Sequence, residues 1–162
     1  MKIFIFSDSH GNIENMTNVL QNFRGEYDYI IHLGDHCTDV HCINNIIGVT
    51  PLIAVTGNTD FVTSEFYPDE KIIEIAGHRL YICHGHRHGV KTGLEILFAS
   101  AKAHDCDVAL FGHTHQKYSE ILKGVTLFNP GSIGVPNSSG YSFGILTIDK
   151  RILSFEFVEV KI

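Results

Sequence analysis

The chain has 162 residues, 44% hydrophobic and 19% charged, with a formal net charge of −6. That length suits one domain, the composition is neither that of a disordered chain nor of a membrane protein, and no apolar run approaches the ~18 residues of a spanning helix. Twelve Lys and Arg, spread along the chain with only Lys150 and Arg151 adjacent, give no basic stripe for a nucleic-acid backbone, which argues against duplex binding.

Lys2 to Phe6 is a nearly continuous apolar run, the pattern of a strand buried on both faces. It is cut off by Ser7 and Asp8 with no long apolar stretch or small-residue cleavage site, so a secretory signal is not expected and the cytoplasm is the expected location. After "SDSHG", Ile13, Met16, Leu20 and Phe23 recur at helical spacing, with Asn12 as N-cap and Gly25 as the stop. "YIIHL" (29–33) reads as a second strand, the segment around Val40, Ile43 and Ile47 as a helix, and "PLIAV" (51–55) as a third strand. This rhythm argues for a parallel or mixed sheet with crossover helices.

From residue 70 the pattern changes. "KIIEIAGHRLYICH" predicts two strands around a turn at Ala76, Gly77 and His78, and Leu94, Leu97, Phe98 and Ala101 mark a helix. "VALFG" is a strand, "YSEILKGVTLFN" a hairpin turned at Lys123 and Gly124, and "SFGILTIDKRILSFEFVEV" a hairpin turned near Asp149 and Lys150. So many strands suggest an α/β fold of two mixed sheets packed face to face with helices outside. The apolar terminal hairpin is compatible with a homo-oligomer and equally with burial inside one sandwich. Cys37, Cys42, Cys83 and Cys106 form no CxxC pair and read as reduced thiols.

The polar clusters fall at strand ends: "SDSHG", "GDH", "GNTD", "CHGHRHG", "FGHTH" and "NPGSIG". Singly, each has an ordinary reading. Asp8 and His10 suit a helix cap, Asp35 and Asn58 a turn, and His84 a satisfied core histidine. Together they place oxygen and imidazole groups on one rim, and ligands bind outside the carboxyl ends of strands in such sheets. Carboxylate, carboxamide and imidazole without thiolate suit divalent ions such as Mn²⁺, Fe²⁺, Ni²⁺ or Zn²⁺. Two ions about 3.5–4 Å apart can hold a hydroxide for attack and clamp a phosphoryl group, and Asn58 would supply an oxygen without lowering the charge that attracts a phosphate.

The set "DSH … GD … GN … HGH … GHTH", running from Lys2 through Ile133, resembles the calcineurin-like metallophosphoesterase superfamily. The short chain, "IIHLGD" and "NPGS" resemble its small YfcE-type phosphodiesterase branch. The resemblance implies a two-sheet sandwich flanked by helices, spanning 1–162 as one domain, and hydrolysis of a small phosphodiester through a dinuclear site with a bridging hydroxide. It implies that Asp8, His10 and His115 bind the first metal, that Asn58, His84 and His113 bind the second, and that Asp35 bridges them. Many members carry histidine where this chain has Thr59, a contact to the phosphoryl group and a proposed proton donor. The Thr59 hydroxyl suits a hydrogen bond to phosphate but not proton donation near neutral pH, leaving His86, Asp60 or water as donor. Asp35, Asn58 and His86 are therefore the expected catalytic residues, and Asn58, Thr59 and His86 the expected substrate contacts. The same fold also resembles the small subunit of the retromer sorting complex, so a scaffold is the alternative; the seven filled ligand positions favour catalysis. A metallo-β-lactamase-type site could use His84, His86 and His88 but needs an Asp-His pair where Gly89 and Val90 stand.

Overall fold

The computed structural model describes residues 1–61, 66–135, 137–138 and 140–161. One sheet has the order β10-β9-β1-β2-β3, formed by β1 (Lys2–Phe6), β2 (Tyr29–His32), β3 (Leu52–Ala54), β9 (Tyr141–Asp149) and β10 (Ile152–Val160). The other has the order β4-β5-β6-β8-β7, from β4 (Glu70–Ile75), β5 (His78–Cys83), β6 (Val108–Leu110), β7 (Lys117–Leu122) and β8 (Val125–Pro130). In the first sheet β1, β2 and β3 are parallel, and in the second β5, β6 and β8 are parallel; hairpins supply the antiparallel edges.

The two-residue alternation of strand side chains builds the layers. Ile3 and Ile5 of β1 face Leu80 and Ile82 of β5 in a core shared by both sheets. Phe4 and Phe6 point the other way, onto Met16 and Leu20 of α1 (Ile13–Asn22), while Tyr81 and Cys83 face Leu97 and Ala101 of α3 (Glu95–Ala103). Both faces of β1 are thus covered, which is why its sequence is apolar throughout. Truncating Phe4 to alanine would cost about 3–5 kcal/mol.

Three sequence expectations need adjustment. Asn12 stands at the N-cap but makes no cap hydrogen bond; its Nδ2 donates instead to the Gly134 carbonyl at 3.3 Å, tying the helix start to a loop of the other sheet's chain segment. The segment around Val40 is a 3₁₀ helix (Cys37–Ile43) running into a short α2 (Asn44–Ile47), because Cys37, Val40 and Ile43 recur at the three-residue period of a 3₁₀ turn and all are buried. The terminal hairpin turns at Lys150 and Arg151, one residue later than expected, with φ of 46° and 69°; Asp149 already pairs with Ile152. No two of the four cysteines form a disulfide.

His32 ends β2 fully buried. Gly34 N–H donates to its Nδ1 at 3.2 Å, so the ring proton sits on Nε2 and donates to Ser9 Oγ at 3.1 Å. Burial, partly offset by Asp39 and Asp8, pushes its pKa down to about 4. An unfolded histidine titrates near 6.5, so between these values the unfolded chain binds more protons and stability falls as pH falls. Denaturant titrations of metal-free protein from pH 7 to 4 should show this loss, of the order of 3 kcal/mol for a fully buried ring, and His32→Gln should flatten that slope; equal slopes would refute the assignment.

Candidate metal centre

The parallel strands of both sheets deliver their carboxyl-end loops to one rim, and backbone hydrogen bonds lace those loops together. Asp8 N–H donates to Gly34 O at 3.0 Å, Gly112 N–H to His84 O at 2.9 Å, and Ile133 N–H to Ser7 O at 3.1 Å. Close approach demands glycine at several places on this rim, two of them beside Asp35 and Ser7. A Cβ on Gly57 would lie 2.3 Å from Asp35 N, and one on Gly112 would lie 1.9 Å from Ser7 Oγ.

Asp8 and Asp35 are buried at the centre. One oxygen of Asp8, Oδ2, accepts from Ser7 Oγ at 2.6 Å and from His113 N–H at 3.1 Å, whereas Oδ1 is buried without a hydrogen-bond partner. Asp35 Oδ1 accepts from the Thr59 amide at 3.0 Å and lies 3.4 Å from His84 Nε2; Oδ2 lies 3.5 Å from His10 Nε2. The two oxygens of Asp35 therefore face different histidines.

Two rings are oriented by backbone carbonyls. His84 Nδ1 donates to Leu33 O at 2.7 Å and His115 Nδ1 donates to Val135 O at 2.9 Å, turning both Nε2 atoms inward. His84 Nε2 is buried and lacks a hydrogen-bond partner, 3.8 Å from Asp8 Oδ1; His115 Nε2 lies 3.2 Å from the same oxygen. Deprotonated imidazole nitrogens aimed at carboxylate oxygens repel unless a cation sits between them. Ligand atoms of Asp8, His10, Asp35 and His115 all lie within 4.8 Å of one another, as do those of Asp35, His84 and His113. These two groups share Asp35. The donor set, its orphaned Asp8 and His84 atoms and its carbonyl-held rings fit divalent ions, and the half-buried His10, His113 and His115 leave the cluster open on one side, as a reacting site requires.

The protonation pattern follows from the same contacts. Burial opposes ionisation of Asp8 and Asp35, yet the His115 and His84 rings hold Asp8 below the usual carboxylate range and His84 does the same for Asp35, aided by Thr59. Burial pulls His84 down, but Asp35 and Asp8 outweigh it and raise its pKa; Asp8 raises that of His115. Burial and the neighbouring His84 depress His113 to about 4, and burial also lowers His10 and His86.

Asn58 and Thr59 are exposed beside this cluster. Asn58 lines a groove of about 390 Å³ together with His86. The Thr59 amide is used on Asp35, and the buried Asp60 carboxylate accepts from Cys37 N–H at 2.9 Å and Gly57 N–H at 2.7 Å, fixing the loop that carries Asn58. The His86 ring lies 5.4 Å from that of His84 and 6.1 Å from that of His113. "NPGS" supports the site from behind: Asn129 Nδ2 donates to Gly112 O, and Ser132 Oγ donates to Asp8 O, both at 2.8 Å. Sequence reasoning missed Ser7 and Ser9 and the Leu33 and Val135 carbonyls. A serine following a strand is a weak signal, and a backbone carbonyl has none. Residues 62–65, 136 and 139, in the loops that follow β3 and β8, lie outside the described residues.

Comparison with known proteins agrees with this geometry. The sequence profile of the calcineurin-like phosphoesterase superfamily domain matches residues 1–151. "Probable metallophosphoesterase YsnB" of Bacillus subtilis is 32% identical over 160 residues, covering 98% of this chain and 91% of that protein. "Phosphodiesterase MJ0936" of Methanocaldococcus jannaschii is 31% identical over 162 residues, covering 91% of this chain and 90% of that protein. Vacuolar Protein Sorting 29 from Cryptosporidium parvum superposes with a TM-score of 0.75 at 17% identity, over 97% of this chain and 96% of that one, a likeness of fold alone. Matched by that profile over residues 1–151 and by a relative 32% identical over nearly its whole length, the chain belongs to the calcineurin-like phosphoesterase superfamily.

Proposed function

We propose that the chain hydrolyses small phosphate diesters at a site built for two divalent metal ions. Asp35 carries this reading: its carboxylate belongs to both groups of ligand atoms, so one side chain is positioned to join two ions. Asp8, His10 and His115 would hold one ion and Asn58, His84 and His113 the other, with Mn²⁺ the first choice and Ni²⁺, Fe²⁺ or Zn²⁺ compatible with the same donors. When bound, such ions supply positive charge for the phosphoryl oxygens and lower the pKa of water for attack at phosphorus. The chain's own part is placement. Leu33 O and Val135 O keep the His84 and His115 rings in one tautomer, Thr59 and Ser7 hold the two carboxylates, and the Asp60-anchored loop presents Asn58.

His86 is the proposed phosphoryl contact. Its Nδ1 is buried without a hydrogen-bond partner, and burial together with His84 keeps the ring neutral near pH 7. A neutral imidazole donates a hydrogen bond readily but protonates a departing alkoxide poorly. Thr59, the other group at this position, has no proton to release near neutrality. The enzyme should therefore depend on the leaving group: p-nitrophenyl esters should turn over faster than alkyl esters by 100-fold or more, and a ratio near one would show that an efficient proton donor is present.

The activity is tested with bis-p-nitrophenyl phosphate against p-nitrophenyl phosphate, using metal-stripped protein with and without Mn²⁺ or Ni²⁺. Metal-dependent cleavage favouring the diester is expected, with Asn58→Ala and His84→Ala losing at least about 100-fold in kcat at saturating metal, the scale of removing a group that stabilises the transition state. A scaffold is the second reading, supported by the shared fold of Vacuolar Protein Sorting 29. Two bound metals with no turnover of either ester would favour it.

A further inference from the structure

Phe61 is 86% exposed, although the residue before it is among the most firmly held in the loop: Asp60 is buried and ties the backbone at Cys37 and Gly57. The phenyl ring is therefore presented to water by an anchored backbone and has no core to fill. It lines the same groove of about 390 Å³ as Asn58 and His86, a volume within the ~300–1,000 Å³ usual for small-molecule sites. Arg87 lines the groove as well. Its guanidinium is held by Asp69 at 2.7 Å, and Asp69 in turn accepts from the Thr56 hydroxyl at 2.8 Å, so the cation is braced from the end of β3. A flat apolar ring and a braced planar cation bordering one groove are the two surfaces on which heteroaromatic rings stack. The guanidinium charge is matched by Asp69, and in the adjoining cavity of about 410 Å³ Asp69 and Glu70 stand beside Arg87, His86 and His88, so the only Lys or Arg lining either space is already paired and no unmatched guanidinium is offered to a second phosphate.

Resting on the phosphodiesterase reading, we propose that this groove receives a nucleobase, so that the substrate is a nucleotide diester with a single phosphate. Asn58 and His86 face the phosphoryl end, and Phe61 with Arg87 engages the base. Phe61 is a specificity residue for the alcohol portion of the substrate and takes no part in bond cleavage.

The test is titration calorimetry of the Mn²⁺-loaded protein with adenosine 5′-monophosphate and with ribose 5-phosphate, which share the phosphate and sugar and differ in the base. The base should improve affinity tenfold or more. Phe61→Ala and Phe61→Leu should each reduce that preference to about twofold, while Phe61→Tyr should keep it; the Leu variant retains apolar bulk without a flat face and guards against a merely structural effect. Equal affinity for the two ligands, binding of neither, or a preference that survives both Phe61→Ala and Phe61→Leu would overturn the proposal. Because the readout is binding, the two readings fail separately. Base preference without diester turnover sinks the phosphodiesterase and leaves the subsite, and turnover without base preference does the reverse.

Discussion

Two buried carboxylates, Asp8 and Asp35, held beside inward-facing imidazoles, impose the constraint on which the rest of the molecule depends. An ionised carboxylate taken out of water costs several kcal/mol unless it is paired and hydrogen-bonded. Here Ser7, Thr59 and the His113 amide supply hydrogen bonds, and His84 and His115 supply opposing charge when protonated. A cation can take the place of those protons, which links metal binding to pH. The backbone is bent to the same end. Asp8, His10, Asp35, His113 and His115 all have positive φ, between 49° and 68°, a conformation costing on the order of 1 kcal/mol or more for a residue with a side chain. Five of the eleven non-glycine residues with positive φ among the described residues fall in this one cluster, whereas Ala76, Lys123, Lys150 and Arg151 lie in hairpin turns.

The two-sheet sandwich makes that concentration affordable in structural terms. Parallel strands from each sheet end on the same rim, so the loops that follow them meet there, and backbone hydrogen bonds between loops of opposite sheets hold their spacing. Core packing of Ile3, Ile5, Leu80 and Ile82 fixes the sheets against each other, and the loops inherit that rigidity. Preorganised chemistry needs ligand atoms held within about 0.5 Å, and side chains locked by packing and hydrogen bonds are the means to that end.

Much of this was legible in the sequence because its signals are local. Lys2–Phe6 is apolar on both faces and became the central strand, and the polar clusters after strands did converge. The Ala76-Gly77 turn announced itself through glycine and has positive φ at both residues. What escaped has a physical reason in each case. Lys150 and Arg151 adopt a turn conformation that neither residue favours, because the nine-residue pairing of β9 with β10 sets the register and overrides local preference. Asn12 was an ordinary cap candidate, but Gly134, far away in sequence, takes its side chain. The tautomer of His84 is fixed by the Leu33 carbonyl, and no residue letter records a carbonyl. The groove that Phe61 shares with Asn58, His86 and Arg87 is built from segments distant in sequence, which no local pattern records.

The central claim is that Asp35 joins two metal ions. It is tested most directly by diffraction from Mn²⁺-soaked crystals at the manganese absorption edge. Two anomalous peaks about 3.5–4 Å apart, one beside Asp8, His10 and His115 and one beside Asn58, His84 and His113, with Asp35 between them, are predicted. One peak, or two peaks that do not share Asp35, would contradict the account.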